Sequence, residues 1–238
     1  MRMKNNELKP GYNVQAGTEN GYVCGFSVHQ NANDGITYPS HMAQREKVGL
    51  PPPQNIIADA GYGNEENYDL IEKAGMGNYM KFPSYYRESK NNNEWFTIKD
   101  FKHNQENDYF LCKQGRKLHF VEERVTRNSN DYERRSRNYE SSDCSNCPLK
   151  SKCIKAELRT LQFSPTLNKH KTKVKENLQS EEGIDFRKRR GNEVETVFGH
   201  LKHNMNYKRI RLRSLKKAVV EMAIMFMSHN LIKISKAI

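Results

Sequence analysis

The order of apolar and polar positions divides the chain into three stretches with different periods. In the first, residues 12–16 and 22–29 are short β-prone runs on either side of Thr18-Glu19-Asn20-Gly21, where Asn before Gly marks a tight turn. Such a pair predicts a β-hairpin. Behind Asn33-Asp34-Gly35 a helix is predicted to about Val48, with Pro51-Pro52-Pro53 as a hard stop, and Ile56-Ile57-Ala58 reads as a short buried strand ending at Asp59. Asp59-Ala60-Gly61-Tyr62-Gly63 is then a turn. Asn64 caps a helix over residues 65–74, whose Glu65 and Glu66 sit favourably at the positive end of the helix dipole, and Gly75 and Gly77 end it.

The second stretch, residues 86–165, is polar, carries Asn91-Asn92-Asn93, scattered aromatics and four of the five cysteines, and shows no sustained helical period. Short strands such as 109–112 are expected there, and the stretch reads as an insertion. From Lys169 the pattern turns helical. Val194, Val197, Phe198, Leu201 and Met205 recur at helical spacing, and a second apolar run over 219–234 lies behind Arg213-Ser214-Leu215-Lys216-Lys217, so three helices are expected. The expected organisation is an α/β part over 1–85, a cysteine-rich insertion over 86–165 and a helical part over 166–238.

Composition narrows the class. Of 238 residues 35% are hydrophobic and 29% charged, so the core has to be assembled from short apolar runs. No run approaches the ~18 consecutive apolar residues of a membrane span, and no secretory pattern opens the chain. The chain reads as soluble and cytoplasmic. Its net charge is +12, and residues 169–238, with 17 basic and 7 acidic side chains, carry +10 of it. A one-sided basic excess suits a polyanion, because neutralised phosphates release condensed counterions.

Cys144-x2-Cys147-x5-Cys153, with Cys112 upstream, supplies four thiols. A C-x2-C pair puts two sulfurs on one turn, within reach of a tetrahedral ion at ~2.3 Å. In a reducing compartment a metal accounts for clustered cysteines better than disulfides do. Four thiolates would leave no open position, which makes such a zinc structural. Unpaired thiols in a loose insertion are the other reading. Cys24 reads as core and His119 as a surface group.

Asp59 stands at the C-terminal end of a buried strand, where α/β folds place catalytic groups and where a carboxylate is a good Mg²⁺ ligand. An ordinary turn Asp fits equally. The helix at 193–202 adds discrimination. With Val194 at 0° and about 100° per residue, Val197, Phe198 and Leu201 fall within about 60° and fix the buried face. Glu195 and Lys202 then share one flank, at about +100° and +80°, two turns apart, with Glu193 and His200 on the other. A carboxylate with a cation two turns along is what holding a metal beside a phosphate needs.

These stretches, together with Leu8-Lys9-Pro10-Gly11-Tyr12-Asn13-Val14-Gln15, Phe198-Gly199 and His229-Asn230-Leu231, resemble, in order, the DDE transposases of bacterial insertion sequences, in the branch with a cysteine-bearing insertion before the last carboxylate. The resemblance implies an RNase H-like α/β fold and assigns Asp59 as the second catalytic Asp, Glu195 as the catalytic Glu and Lys202 as the Lys after it. Arg190 fits the family's Arg before the Glu. Arg187 stands where the family has an aromatic.

Together with Lys208, Arg209, Arg211 and Arg213, Arg190 and Lys202 are the expected DNA contacts. Asp59 and Glu195 would hold Mg²⁺, two ions in the complete family, and Cys112, Cys144, Cys147 and Cys153 a zinc. The first strand of the fold and its Asp have no counterpart, and Asp34 follows the hairpin rather than opening the sheet. Met1-Arg2-Met3-Lys4 therefore looks like an internal stretch of a longer transposase, and the expectation is a C-terminal catalytic-domain portion inactive by itself. Family members act on DNA as dimers on paired ends, but no residue pattern here marks a dimer surface. Two alternatives stay open: a zinc-containing nucleic-acid-binding module without chemistry, and an RNase H-like nuclease that takes its first carboxylate from Asp34.

Overall fold

A computed structural model of the chain describes residues 11–89 and 95–237. Leu8-Lys9-Pro10, Asn91-Asn92-Asn93 and Met1-Arg2-Met3-Lys4 lie outside the described residues. In chain order the elements are β1 (Asn13–Glu19), β2 (Tyr22–His29), α1 (Asp34–Lys47), β3 (Asn55–Ile56), α2 (Glu65–Lys73), β4 (Gly77–Asn78) and α3 (Tyr85–Ser89). They continue with β5 (Lys102–Asn104), β6 (Tyr109–Leu111), β7 (Lys117–Arg127), β8 (Glu133–Ser141), α4 (Lys150–Cys153), β9 (Thr160–Phe163), α5 (Pro165–Gln179) and α6 (Glu181–Arg190). The last are α7 (Thr196–Gly199), between π-helical turns Gly191–Glu195 and His200–Asn204, and α8 (Leu215–Ser235). The chain divides into two compact units, residues 1–82 with 174–238 and residues 83–173.

In the first unit β1 and β2 form the expected antiparallel hairpin, Asn13 opposite His29, with a bulge at Gly17/Thr18. Asn20 and Gly21 both have positive φ, 52° and 73°. That is the turn whose twist matches the flanking strands, and it selects Asn-Gly. The Asn33 side chain caps α1 by accepting from the Gly35 N–H, and Asn64 caps α2 by accepting from Asn67 N–H. Strand β3 pairs in parallel with β4. Alternate bonds, Gly77 N–H to Gln54 O, Tyr79 N–H to Ile56 O and Lys81 N–H to Ala58 O, carry the pairing up to the residue before Asp59.

The mixed α/β character agrees with the sequence. The continuous RNase H-like sheet does not appear: β1–β2 and β3–β4 are separate two-stranded sheets among the described residues. The core joins Val28 of the hairpin to Val197, Leu201, Ala218, Met222 and Phe226, with Phe26 and Phe198 against it. The expected apolar face of the 193–202 helix is thus the buried one. Its turns are not uniform, however: α6 runs through two π-helical turns to Asn204, so a constant 100° step misplaces residues along it. By length and composition α8 is apolar enough to cross a membrane, although no unbroken apolar run reveals it; its Ala218, Met222 and Phe226 face is built into the core.

The second unit is an antiparallel five-stranded sheet in the order β5-β6-β7-β8-β9. Phe101, Phe110, Leu118, Tyr139 and Leu161 form its core. At one side Asp108 receives the Tyr139 hydroxyl at 2.7 Å and both terminal nitrogens of Arg137 at 3.2 and 2.7 Å. The 11-residue β7 goes well beyond the expected short strands. All but one of its residues are exposed, and its apolar residues, Leu118, Phe120, Val121 and Val125, keep no period-2 alternation over the strand.

Candidate active site and cysteine cluster

Asp59 ends the extended 54–58 segment, and its carboxylate accepts an ion pair from the Arg190 guanidinium at the end of α6. The turn behind it is held on every side. Asn67 donates to Tyr62 O at 2.7 Å and to Gly35 O at 2.9 Å, and Asn64 also donates to Gly35 O at 2.9 Å. A side chain at Gly63 would run into Lys81 O at 2.2 Å and the Tyr68 hydroxyl oxygen at 2.6 Å, so only glycine lets the turn lie this close.

The same packing places Asp34 at the turn: a Cβ built on Gly61 would sit 3.4 Å from its Oδ2. Asp34 Oδ1 accepts from Asn13 at 2.7 Å and Gln15 at 3.1 Å, both from β1. Burial pushes the Tyr62 phenol above its ordinary range; Asp34 and then Asp59 add to this and Arg190 opposes it. Asp34, Asp59 and Arg190 are therefore all within electrostatic reach of one hydroxyl. From the sequence Asp34 has a role only in the nuclease alternative and Tyr62 has none, because their approach depends on how α1 and the 59–63 turn pack.

Glu195 is exposed and five residues beyond Arg190. In an α-helix such residues are about 140° apart in projection, whereas a π-turn of roughly 4.4 residues brings them to about 50°. A π-helical turn spans Gly191–Glu195, so in projection Glu195 lies nearer to Arg190, which meets Asp59, than a uniform α-helix would put it. Lys202 is exposed in the second π-helical turn. Lys208, Arg209, Arg211 and Arg213 are exposed in the following loop, which Glu221 of α8 shapes by accepting from Arg211 N–H at 2.8 Å, Leu212 N–H at 2.7 Å and the Tyr207 hydroxyl at 2.8 Å.

The opposite flank of this helix is fastened to the hairpin turn. Glu193 accepts from Gly21 N–H at 2.6 Å, and His229 Nε2 donates to Gly21 O at 3.0 Å. His229 Nδ1 lies 3.0 Å from His200 Nδ1, close enough for one of the two nitrogens to donate to the other. Asn230 satisfies both backbone groups of Val23, accepting from N–H at 2.9 Å and donating to O at 3.0 Å.

In the second unit Cys112 opens a tight turn closed by Gly115 N–H on Cys112 O at 2.9 Å, with Gly115 at φ 73°. Lys150 N–H closes a similar turn on Cys147 O at 3.0 Å. Arg116 bridges toward the C-x2-C pair by donating to Asp143 O and Ser145 O, each at 2.8 Å. Cys112 and Cys153 both pack on the sheet's core. Burial pushes the Cys153 thiol up; Arg159 opposes this, and Cys144, Cys112 and Cys147 add to it. Cys112, Cys144 and Cys147 are therefore each within electrostatic range of the Cys153 sulfur, and all four are free thiols. Exposed His119 instead has its ring 6.5 Å from Tyr109 on the neighbouring strand.

A family model described as a transposase DDE domain matches residues 111–235, more than half of the chain. The chain belongs to the transposase DDE domain family. Membership implies a transposase-type function of the polynucleotidyl transferase kind, with DNA as partner. The match takes in the four clustered cysteines, Arg190, Glu195, Lys202 and the His229-Asn230 pair of this DDE domain; Asp59 and Asp34 lie before it. No curated protein and no solved structure matches the chain.

Proposed function

We propose that the chain is a C-terminal catalytic-domain portion of an insertion-sequence transposase, with Asp59 and Glu195 as its divalent-metal ligands and the Arg190-to-Arg213 cations as its DNA-backbone contacts. The observation that carries this reading is the Arg190–Asp59 ion pair, which ties the strand-end carboxylate to the helix bearing Glu195. Both carboxylates are exposed oxygen donors, the kind of group Mg²⁺ takes. Bound there, Mg²⁺ would activate an attacking hydroxyl and stabilise the leaving oxygen of a phosphodiester. Arg190 neutralises Asp59 and is placed to turn to a phosphate; Lys202 and the loop cations hold the DNA backbone.

In this reading the unit is RNase H-like with its first strand and first Asp missing. The separation of the hairpin sheet from β3–β4 supports that, since the first strand of such a fold pairs with both. Two carboxylates hold metal less well than three, so little or no strand transfer is expected from the chain alone. Robust Mg²⁺-dependent cleavage and joining by purified 1–238, abolished by Asp59→Ala, would contradict this; recovery of activity when a strand carrying an Asp is supplied ahead of β1 supports it.

We further propose that Cys112, Cys144, Cys147 and Cys153 hold a structural zinc. The soft thiolate set and the two tight turns suit it, and Arg159, which donates to Cys153 O at 2.9 Å, offsets its charge. The Arg190–Asp59 pair also favours a second reading, a nucleic-acid-binding module in which the carboxylate is purely structural. DNA binding and any DNA processing would then survive loss of Glu195.

A further inference from the structure

Asn13 and Gln15 share one face of β1, because side chains alternate along a strand, while Val14 and Ala16 pack on the core that α8 helps to build. Gln15 is buried, and a buried amide destabilises the fold unless its hydrogen bonds are made. Its Nε2 donates to Asn13 Oδ1 at 2.8 Å and to Asp34 Oδ1 at 3.1 Å, and Asn13 Nδ2 donates to the same Asp34 oxygen at 2.7 Å. Two amides of one strand thus hold one oxygen of a carboxylate on α1. The other oxygen, Oδ2, accepts from no donor among the described residues. It lies on the side of the Asp59 turn, 3.4 Å from where a Cβ on Gly61 would sit.

We propose that Asn13 and Gln15 are positioning residues: they keep Asp34 Oδ2 turned to the Asp59 turn, where its charge strengthens divalent-metal binding by Asp59 and Glu195 from outside the coordination shell. The inference rests on the metal-site reading above, and it differs from a nuclease in which Asp34 is itself a ligand. A tie that only joined β1 to α1 could use either carboxylate oxygen. Here both donors meet on Oδ1, and the oxygen left over is the one beside the turn. The Tyr62 phenol feels the charges of Asp34 and Asp59 together, so the two carboxylates act on one locality. Arg190 neutralises Asp59. A second anion nearby offsets that cation, and Coulomb attraction lets it act on a divalent ion without touching it. Outer partners of this kind orient and tune a metal site.

Titration of purified 1–238 with Mn²⁺, followed by electron paramagnetic resonance of the free ion and set beside urea unfolding, tests this. Asp34→Asn keeps the oxygen that accepts from the amides and removes the charge. Asn13→Ser removes the shorter donor and keeps the charge; Asn13 is only half-buried, so this variant is expected to fold. Each should raise the Mn²⁺ dissociation constant about tenfold, the scale of outer-shell substitutions. A purely structural tie would instead lower the urea midpoint and leave Mn²⁺ affinity alone. Wild-type affinity in either variant, with binding still lost in Asp59→Asn, overturns the proposal and leaves the metal-site reading standing. Complete loss in Asp34→Asn makes Asp34 a ligand and overturns the outer role. Absence of Mn²⁺ binding by the unsubstituted chain, or binding unmoved by Asp59→Asn, overturns both.

Discussion

The Arg190 guanidinium stands on the Asp59 carboxylate, so the cation nearest the proposed metal ligand belongs to the protein itself. Its side chain is 17% exposed and that of Asp59 58%, which keeps the pair's contribution to stability small, about 0.2–1 kcal/mol. If Asp59 is a metal ligand, Arg190 competes with the metal. Arg190→Ala is then expected to leave the denaturation midpoint nearly unchanged and to tighten Mg²⁺ binding several-fold by calorimetry at low salt. Weaker binding would mean that Arg190 builds the site rather than screening it.

The cysteine cluster makes a metal-removal prediction. Protein purified without chelator should carry close to one zinc per chain by atomic absorption. A Cys144→Ser, Cys147→Ser double variant should lose it, and the sheet unit that holds Cys112 and Cys153 against its core should melt earlier. Full stability without zinc would reduce the four thiols to core side chains.

His41 gives the fold a pH dependence. It is 8% exposed, and its Nδ1 lies 2.9 Å from the Ser27 hydroxyl. Burial, then Arg45 and His29, lower it from 6.5 to about 4. Between those values the unfolded chain binds a proton that the folded chain refuses, so stability falls as pH drops through this window, by about 3 kcal/mol in all. Urea midpoints measured from pH 7 to pH 4 should show the fall, and His41→Gln should flatten it.

Asn230 replaces a neighbouring strand for Val23 by meeting both of its backbone groups. Asn230→Asp keeps the shape but sets a carboxylate against the Val23 carbonyl. A cost of about 2 kcal/mol is expected in denaturant unfolding, close to that of Asn230→Ala. A neutral Asn230→Asp would show that the contact is dispensable.

Much of the first unit was legible because its signals are local. Asn20-Gly21, the Asn33 and Asn64 caps and the proline stop mark elements through backbone preferences that need no partner. The apolar spacing of Val197, Phe198 and Leu201 gave the buried face of the Glu195 helix for the same reason. What escaped depends on long-range packing or on irregular turns. The π-helical turns that reorient Glu195 leave no mark in a constant helical step, and Asp34 reaches the Asp59 turn only because α1 packs against it. The apolar run over 219–234 predicted a helix but not which of its faces stays open, since an apolar residue looks the same in sequence whether a neighbour covers it or not. The length of β7, exposed at every position but Leu118, was not marked by any sustained alternation of apolar and polar residues.

The central claim is that Asp59 and Glu195 hold one divalent ion between them. Titration with Mn²⁺, followed by electron paramagnetic resonance of the free ion, tests it on the chain as it stands, with Asp59→Asn and Glu195→Gln alongside. The account predicts weak saturable binding that either substitution alone abolishes. Binding that survives Glu195→Gln unchanged would place the two carboxylates in separate sites and contradict it.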